Sequence, residues 1–441
     1  MSVKSSPPIP SPKPADDPAS LSATAKHCME MVYYAAALDY ARRGLRALDP
    51  EDRGKVYAEL TRHVIFASLL LARFDDVEQI CRNLRPGQDD PGLLAHGAYA
   101  MAILNARLYD PSRHDYDAAT AWVEQSLAFT ESLPPSEVRA VNLAFLQNTM
   151  ALVQMRKGRL QAALRLLNSG LRLMAREAPG RFRTASAILL HNRARLRMAM
   201  KRPDAAVADL TTLLRQEPSD SDAYVDRGLL HQRAGRYAAA LADYDAAIAW
   251  SPPFETPHFN RAQVLSALGR PEAAARDYDR VLELNPHHTE ARINRACLRY
   301  AQGDHDGARA DADVILERAP DNARALCLRG LIQMAGADLA HAHGSFTAAI
   351  AADPRLADAW ANRAATAFRQ GDAEAALNDL SAALALREDP IVLCNRARIF
   401  ESANRWSEAR ADYARALEIA PNLEGAAAGL KLAKNTSNLA K

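Results

Sequence analysis

The chain has 441 residues, 49% hydrophobic and 24% charged, the balance of a soluble folded protein. Lysine plus arginine number 55 against 53 acids, so no bulk field draws in nucleic acid or an anionic membrane. Five widely spaced cysteines, Cys28, Cys81, Cys297, Cys327 and Cys394, form no C-x-x-C pair and no secreted disulfide framework, so the expected compartment is a reducing cytoplasm.

Residues 1–20 hold Pro7, Pro8, Pro10, Pro12, Pro14 and Pro18 among serines and charges, a composition that cannot bury a core and predicts a disordered tail. They lack the apolar core of a secretory signal, and no run approaches the roughly 18 apolar residues of a membrane span. From Leu21 to Leu48 the residues Met31, Val32, Tyr34, Ala35, Leu38, Leu45 and Leu48 recur near helical spacing and predict one long helix, ended by Asp49-Pro50. Helix pairs are then predicted over 55–72 with 75–84, and over 92–108 with 116–131, the latter closed by Pro134 and Pro135. Residues 144–175 read as a degenerate helical hairpin with Ala151, Gly158, Ala163 and Leu167, followed by a long connection over 176–186. The stretch 21–186 is thus an irregular helical region, either the N-terminal cap of the array that follows or a separate domain packed against it.

From Ala187 to Leu423 the sequence repeats at a spacing of 34 residues, the mark of a stacked helical array. Seven units begin at Ala187, Ser221, Glu255, Thr289, Ala323, Ala357 and Pro390, with one residue deleted before the last. Position 8 holds Ala194, Gly228, Ala262, Ala296, Gly330, Ala364 and Ala397, and position 20 holds Ala206, Ala240, Ala274, Ala308, Ala342, Ala376 and Ala409. Two uniformly small columns let two helix axes approach closely. Pro218, Pro252, Pro286, Pro320, Pro354 and Pro421 close six of the seven units at position 32, where only Glu388 departs. Each unit therefore predicts a first helix over about positions 2–14, a turn with Gly235, Gly269, Gly303 or Gly371 at position 15, and a second helix that the proline stops. Residues 424–434 predict a polar terminal helix, with a frayed tail to 441.

Tyr224, Gly228, Gly235, Tyr237, Ala240, Tyr244, Ala247 and Pro252 resemble the tetratricopeptide repeat signature position by position, and the resemblance covers the seven units, 187–423. It implies an all-α fold, a right-handed superhelical solenoid of helix-turn-helix repeats whose concave wall, lined by the first helices, holds a partner protein. In this family repeat position 6 faces the groove, and here it reads Asn192, Asp226, Asn260, Asn294, Leu328, Asn362 and Asn395. An amide offers a donor and an acceptor together, so it can pair with the backbone of an extended peptide without reading its side chains. The column looks like the asparagine ladder in the repeats of O-linked N-acetylglucosamine transferases, where such amides hold substrate backbone. The expected peptide-binding residues are Asn192, Asn260, Asn294, Asn362 and Asn395, with aromatic help from Phe259, Tyr300 and Phe368; Asp226 and Leu328 interrupt the ladder. The competing reading is a sequence habit of the repeat, N-R-A, in which the asparagines bond neighbouring helices. The wall does not match the lysine and asparagine pattern of repeats that clamp a chaperone's C-terminal carboxylate.

A second column pairs arginine at position 7 with aspartate at position 23: Arg193 with Asp209, Arg227 with Asp243, Arg261 with Asp277, Arg295 with Asp311, Arg363 with Asp379 and Arg396 with Asp412. These read as structural ties within hairpins, and only Arg329, opposite Ser345, lacks its acid. No Gly-rich phosphate loop, H-E-x-x-H, G-x-S-x-G or dinucleotide fingerprint is present, so no catalysis, metal or cofactor is expected. His341 with His343 and His287 with His288 are read as solvent-facing, and Cys327 and Cys394 as small groove-wall residues. The function expected is an adaptor that binds an extended polypeptide segment. A related possibility is an accessory subunit that recruits substrate to a modifying or biosynthetic enzyme. A reader of RNA built from 35-residue hairpins is opposed by the period of 34, the proline column and a net charge of −3 over residues 187–423.

Overall fold

A computed structural model describes residues 17–108, 111–180, 182–250 and 253–439. It contains 23 α-helices and no strand among the described residues. Most of the tail expected over 1–20 lies outside the described residues, as do Pro252 and residues 440–441. Asp17 already caps a helix, Pro18–Glu30, accepting from the Ser20 backbone N–H at 2.9 Å.

The chain divides into two compact units, one ending at Leu230 and one beginning at His231. Each is an all-α stack of helical hairpins with no single core. In the first unit, Ala25, Leu38, Ala41, Leu60 and Val64 form one buried cluster, and Ile65, Val77, Leu93, Met101 and Leu104 form the next. In the second, Ala262, Ala274, Tyr278, Val281 and Ala291 bridge one hairpin to the first helix of its neighbour. Each cluster is shared between adjacent hairpins, so stability is built from nearest-neighbour interfaces.

The small columns do what their size predicts. All seven alanines at position 20, and all five at position 8, are fully buried. At Gly330 even a Cβ would lie 2.6 Å from the Phe346 ring, so hydrogen is the largest substituent that this crossing admits. Regular hairpins follow the predicted bounds closely, as in Glu255–Ala267 with Pro271–Leu284 and Ala357–Arg369 with Ala373–Leu386. Asp304, Asp338 and Asp372 at position 16 cap the second helices through their side chains. Arg202 and Arg270 stand there instead before Pro203 and Pro271, prolines that cost nothing in a first helical turn.

Four expectations are corrected. The long helix over Leu21–Leu48 is two helices, Pro18–Glu30 and Tyr34–Ala47, with a turn at Val32 in the left-handed region (φ 64°). The helix predicted over 92–108 is α-helical as Pro91–Ile103 and widens to a π turn, Leu104–Leu108, where the Asn105 side chain donates to the Met101 carbonyl at 2.8 Å. The long connection over 176–186 shrinks to 178–182, because Leu160–Glu177 and Arg183–Ala199 both outrun the repeat pattern. The terminal helix runs from Glu424 to Leu439, past the expected stop at 434.

Candidate peptide-binding wall

The first helices are held in register by the arginine at position 7. In Arg261, Nε and Nη2 donate to the two oxygens of Asp277 at 2.8 and 2.6 Å, across the hairpin. The same bidentate pair joins Arg193 with Asp209, Arg295 with Asp311, Arg363 with Asp379 and Arg396 with Asp412. The aspartates are buried. A planar guanidinium fits a carboxylate with two parallel bonds, which fixes rotation as well as distance.

The third nitrogen, Nη1, reaches back to the preceding hairpin. It meets Thr211 from Arg227, Asp245 from Arg261, Asp279 from Arg295, Thr347 from Arg363 and Ser381 from Arg396. Arg261, Arg295, Arg363 and Arg396 thus each tie two hairpins, not one. The signal was present in the sequence as a polar column at position 25, Thr211, Asp245, Asp279, Asp313, Thr347 and Ser381. Arg329, which lacks the acid, donates to Ser345 Oγ at 3.2 Å, and Ser345 in turn donates to Gln333 at 2.7 Å.

In the second unit, residues at positions 2, 5, 6 and 9 of three successive first helices line one open cavity of about 430 Å³, among them Ile293, Cys297, Arg324, Cys327, Leu331 and Asn362. Of the asparagines expected on this wall, only Asn362 lines the cavity; Asn260, Asn294 and Asn395 do not. Asn362 Nδ2 lies 3.7 Å from Cys327 Sγ, and Asn294 Oδ1 accepts from Arg324 Nη2 at 3.3 Å. Leu328, the break in the ladder, is buried beside Tyr300. Asn260 is half-buried and Asn395 exposed, and neither makes a side-chain hydrogen bond among the described residues.

The aromatic residues divide. Phe368 is 41% exposed and available. Phe259 packs on the hairpin core, with its ring 6.0 Å from Tyr278 and 4.7 Å from His288. Tyr300 meets His305 in a tilted contact, with ring centroids 5.2 Å apart. His288 is not solvent-facing as read: its Nδ1 accepts from the Ala291 N–H at 3.2 Å and so caps a helix. His341 is exposed and pairs with Asp338. Burial pushes the Cys327 thiol up to about 11, so it stays protonated near neutrality and serves as a small wall residue.

In the first unit, Asn192 lines a separate cavity of about 310 Å³ with Asn148, Arg156 and Arg195. Asn192 Nδ2 donates to Asn148 Oδ1 at 2.8 Å. Asp226 is engaged by His191 Nε2 at 2.8 Å and Arg195 Nε at 3.3 Å. Against the upward push of burial, these partners hold its carboxyl below the ordinary range. Sequence reasoning missed Asn148 and Arg156 because it looked for amides only at position 6 of the seven regular units, and these two stand at positions 5 and 13 of the degenerate hairpin before them. It missed Arg324 and Asp358 because position 2 is variable.

Tetratricopeptide repeat family models match residues 191–253 and 259–323, and again 390–423. No curated protein matches the chain. Among solved structures, a tetratricopeptide repeat protein from Parabacteroides merdae is 24% identical, with 56% of this chain and 98% of that chain covered and a TM-score of 0.50. Longer alignments join 95% of the chain to 90% of a chain in the Cut9–Hcn1 hetero-tetramer of APC/C (13% identity, TM-score 0.48), and 96% to 96% of yeast Tom70 (15%, 0.44). With these matches on the regular hairpins and the hairpin turns and small columns in place, the stretches 191–253, 259–323 and 390–423 are tetratricopeptide repeats.

Proposed function

We propose that this protein is a cytoplasmic scaffold that binds an extended segment of a partner polypeptide along its first helices and performs no chemistry of its own. The observation that carries the reading is the cavity in the second unit, built from equivalent positions of three successive first helices. Repeated positions give a ligand site that repeats with the hairpins, and an extended chain is the ligand that can follow it. Asn260, Asn294, Asn362 and Asn395 supply amides to its backbone, and Phe368 an exposed ring. Asn294 and Asn362 are already bonded to wall neighbours, yet an amide has two donors and two acceptor sites and keeps capacity for a ligand. Phe259 and Tyr300 act through the wall's shape. No nucleic acid, membrane or cofactor enters this function. Among the described residues no helix is long and apolar enough to cross a membrane.

The test is selection from a random peptide library displayed on phage, followed by calorimetry on the enriched peptides. Replacing Asn260, Asn294, Asn362 and Asn395 by alanine is expected to weaken them by about 2 kcal/mol or more, on roughly 0.5 to 1.5 kcal/mol per hydrogen bond. Undiminished affinity in the quadruple variant, with helicity intact, would remove the wall from the function.

A further inference from the structure

Charge is nearly balanced over the whole chain but not along it. Residues 138–203 hold 14 lysines and arginines and one acid, Glu177, while the remainder carries more acid than base. Part of that charge is neutralised in place: Arg193 and Arg197 meet Asp209, Arg195 meets Asp226 and Lys157 meets Asp117. The helix Leu160–Glu177 keeps its charge. Arg165, Arg172 and Arg176, seven and four residues apart, share one exposed face of it. Arg165 and Arg172 have no ion-pair or hydrogen-bond partner among the described residues, and Arg176 meets the adjacent Glu177. Position 29, Arg172 here, is glutamate or alanine in all five hairpins from Glu255 onward, so the stripe is no habit of the repeat.

The stripe borders a groove. Two open cavities of about 560 Å³ each lie along the hairpin Glu137–Arg156 with Leu160–Glu177; they share Ser169 and Arg172, and among the described residues no other helix lines either. Met150 and Leu166 stand at positions 7 and 23 of this hairpin, so the arginine and aspartate tie of the regular units is missing. Half-buried Leu166 and Leu173 line the groove beside the arginines, with Gln147 and Gln154 contributed by the other helix. Each pair is spaced by seven residues: Gln147 and Gln154, Arg165 and Arg172, Leu166 and Leu173. Seven helical residues rise about 10.5 Å and bring the same face round again. A helix laid in the groove returns its own face at that interval. An extended strand returns it every 6.7 Å or so, an interval that does not fit the spacing.

We propose that this groove binds an acidic amphipathic helix of a partner polypeptide, with apolar side chains on Leu166 and Leu173 and carboxylates beside Arg165, Arg172 and Arg176. Charge complementarity selects the acids, and a guanidinium takes a carboxylate by two parallel bonds. No aromatic ring lines the groove among the described residues, so bases of a single-stranded nucleic acid have nothing to stack on. Half-buried leucines also lack the protruding apolar bulk that anchors a protein in a membrane surface. The groove belongs to the first unit and stands independently of the peptide wall proposed in the second.

The probe is a synthetic three-heptad peptide with leucines along one face, glutamates beside them and alanine elsewhere, labelled with fluorescein. It is titrated with the full chain at low ionic strength, where exposed charges are least screened, and followed by anisotropy. Saturable one-to-one binding is expected. Lysine in place of every glutamate should weaken it at least tenfold; glutamine in place of the leucines, or a proline that breaks the middle heptad, at least fivefold. Arg165→Glu combined with Arg172→Glu, at two exposed positions, should weaken the glutamate peptide at least tenfold with helicity intact and improve binding of the lysine peptide. No saturable binding, equal affinity for the intact and proline-broken peptides, or indifference to the arginine substitutions overturns the proposal. Tighter arginine-dependent binding of an oligothymidylate, or of vesicles of phosphatidylserine and phosphatidylcholine, also overturns it, by giving the stripe to a nucleic acid or to a membrane. Failure of the asparagine variant on the second unit would leave all these readouts untouched.

Discussion

At the scale of single residues, the arginine and aspartate columns were legible because a periodic salt bridge needs both partners at fixed positions, and sequence displays positions. What sequence concealed was the third arginine nitrogen, whose partner alternates among threonine, serine and aspartate. The asparagine column shows the opposite limit. Sequence located the amides and offered bonding between neighbouring helices as the competing reading, which Asn192, Asn294 and Asn362 follow; it could not name their partners, because Asn148, Arg324 and Cys327 come from helices whose spacing only the fold sets. The arginine ties make a graded prediction. Asp277→Ala strands a half-buried guanidinium, and breaking such a pair costs about 3 to 5 kcal/mol; since Asp245 still holds Arg261 at 2.6 Å, the lower end is expected. Ser345→Asp supplies Arg329 with its acid while Gln333 turns its amide to donate, and should be neutral or stabilising. Thermal melts decide: a silent Asp277→Ala together with a harmful Ser345→Asp would refute the tie.

At the scale of the element, the regular hairpin was readable from its turn. Gly235, Gly269, Gly303 and Gly371 all take positive φ, and the residue that follows donates its N–H five residues back, as Arg270 does to Leu265 at 2.9 Å. The same turn recurs where no glycine announces it. Val32 and Ala72 hold φ of 64° and 55°, and Tyr33 and Arg73 make the same backbone bond to Cys28 and Ser68 at 2.8 Å. A valine in the left-handed region hides a turn from sequence reasoning, and this is why Leu21–Leu48 read as one helix. The strain should be measurable. An L-residue there costs roughly 1 to 2 kcal/mol, most for a β-branched side chain and least for asparagine. Val32→Gly, at a site 63% exposed, should therefore stabilise by about 1 kcal/mol, Ala337→Gly by less, and Asn404→Gly hardly at all. Equal effects at the three sites in chemical denaturation would show that the turn carries no such strain.

At the scale of the whole molecule, a period of 34 foretold an assembly without a central core, and the buried clusters bear that out by joining each hairpin only to its neighbours. Energetic consequences should then be local. Ala376 is fully buried at position 20, where Ala376→Leu overpacks its hairpin by about 1 to 3 kcal/mol. In a globular domain that loss would lower protection everywhere, because unfolding is all-or-none. In a stack of nearest-neighbour interfaces, amide hydrogen exchange should quicken in the hairpin Ala357–Arg369 with Ala373–Leu386 and in its two neighbours, Ala323–Ala335 with Leu339–Ala352 and Pro390–Ser402 with Trp406–Ile419. The hairpin Glu255–Ala267 with Pro271–Leu284, two interfaces further on, should keep its protection. A uniform loss across all of these hairpins would mean that the second unit unfolds as one cooperative body. Its peptide wall would then be gained or lost as a whole, and a weakened hairpin could not loosen a ligand at one end of the wall while the other end still held it.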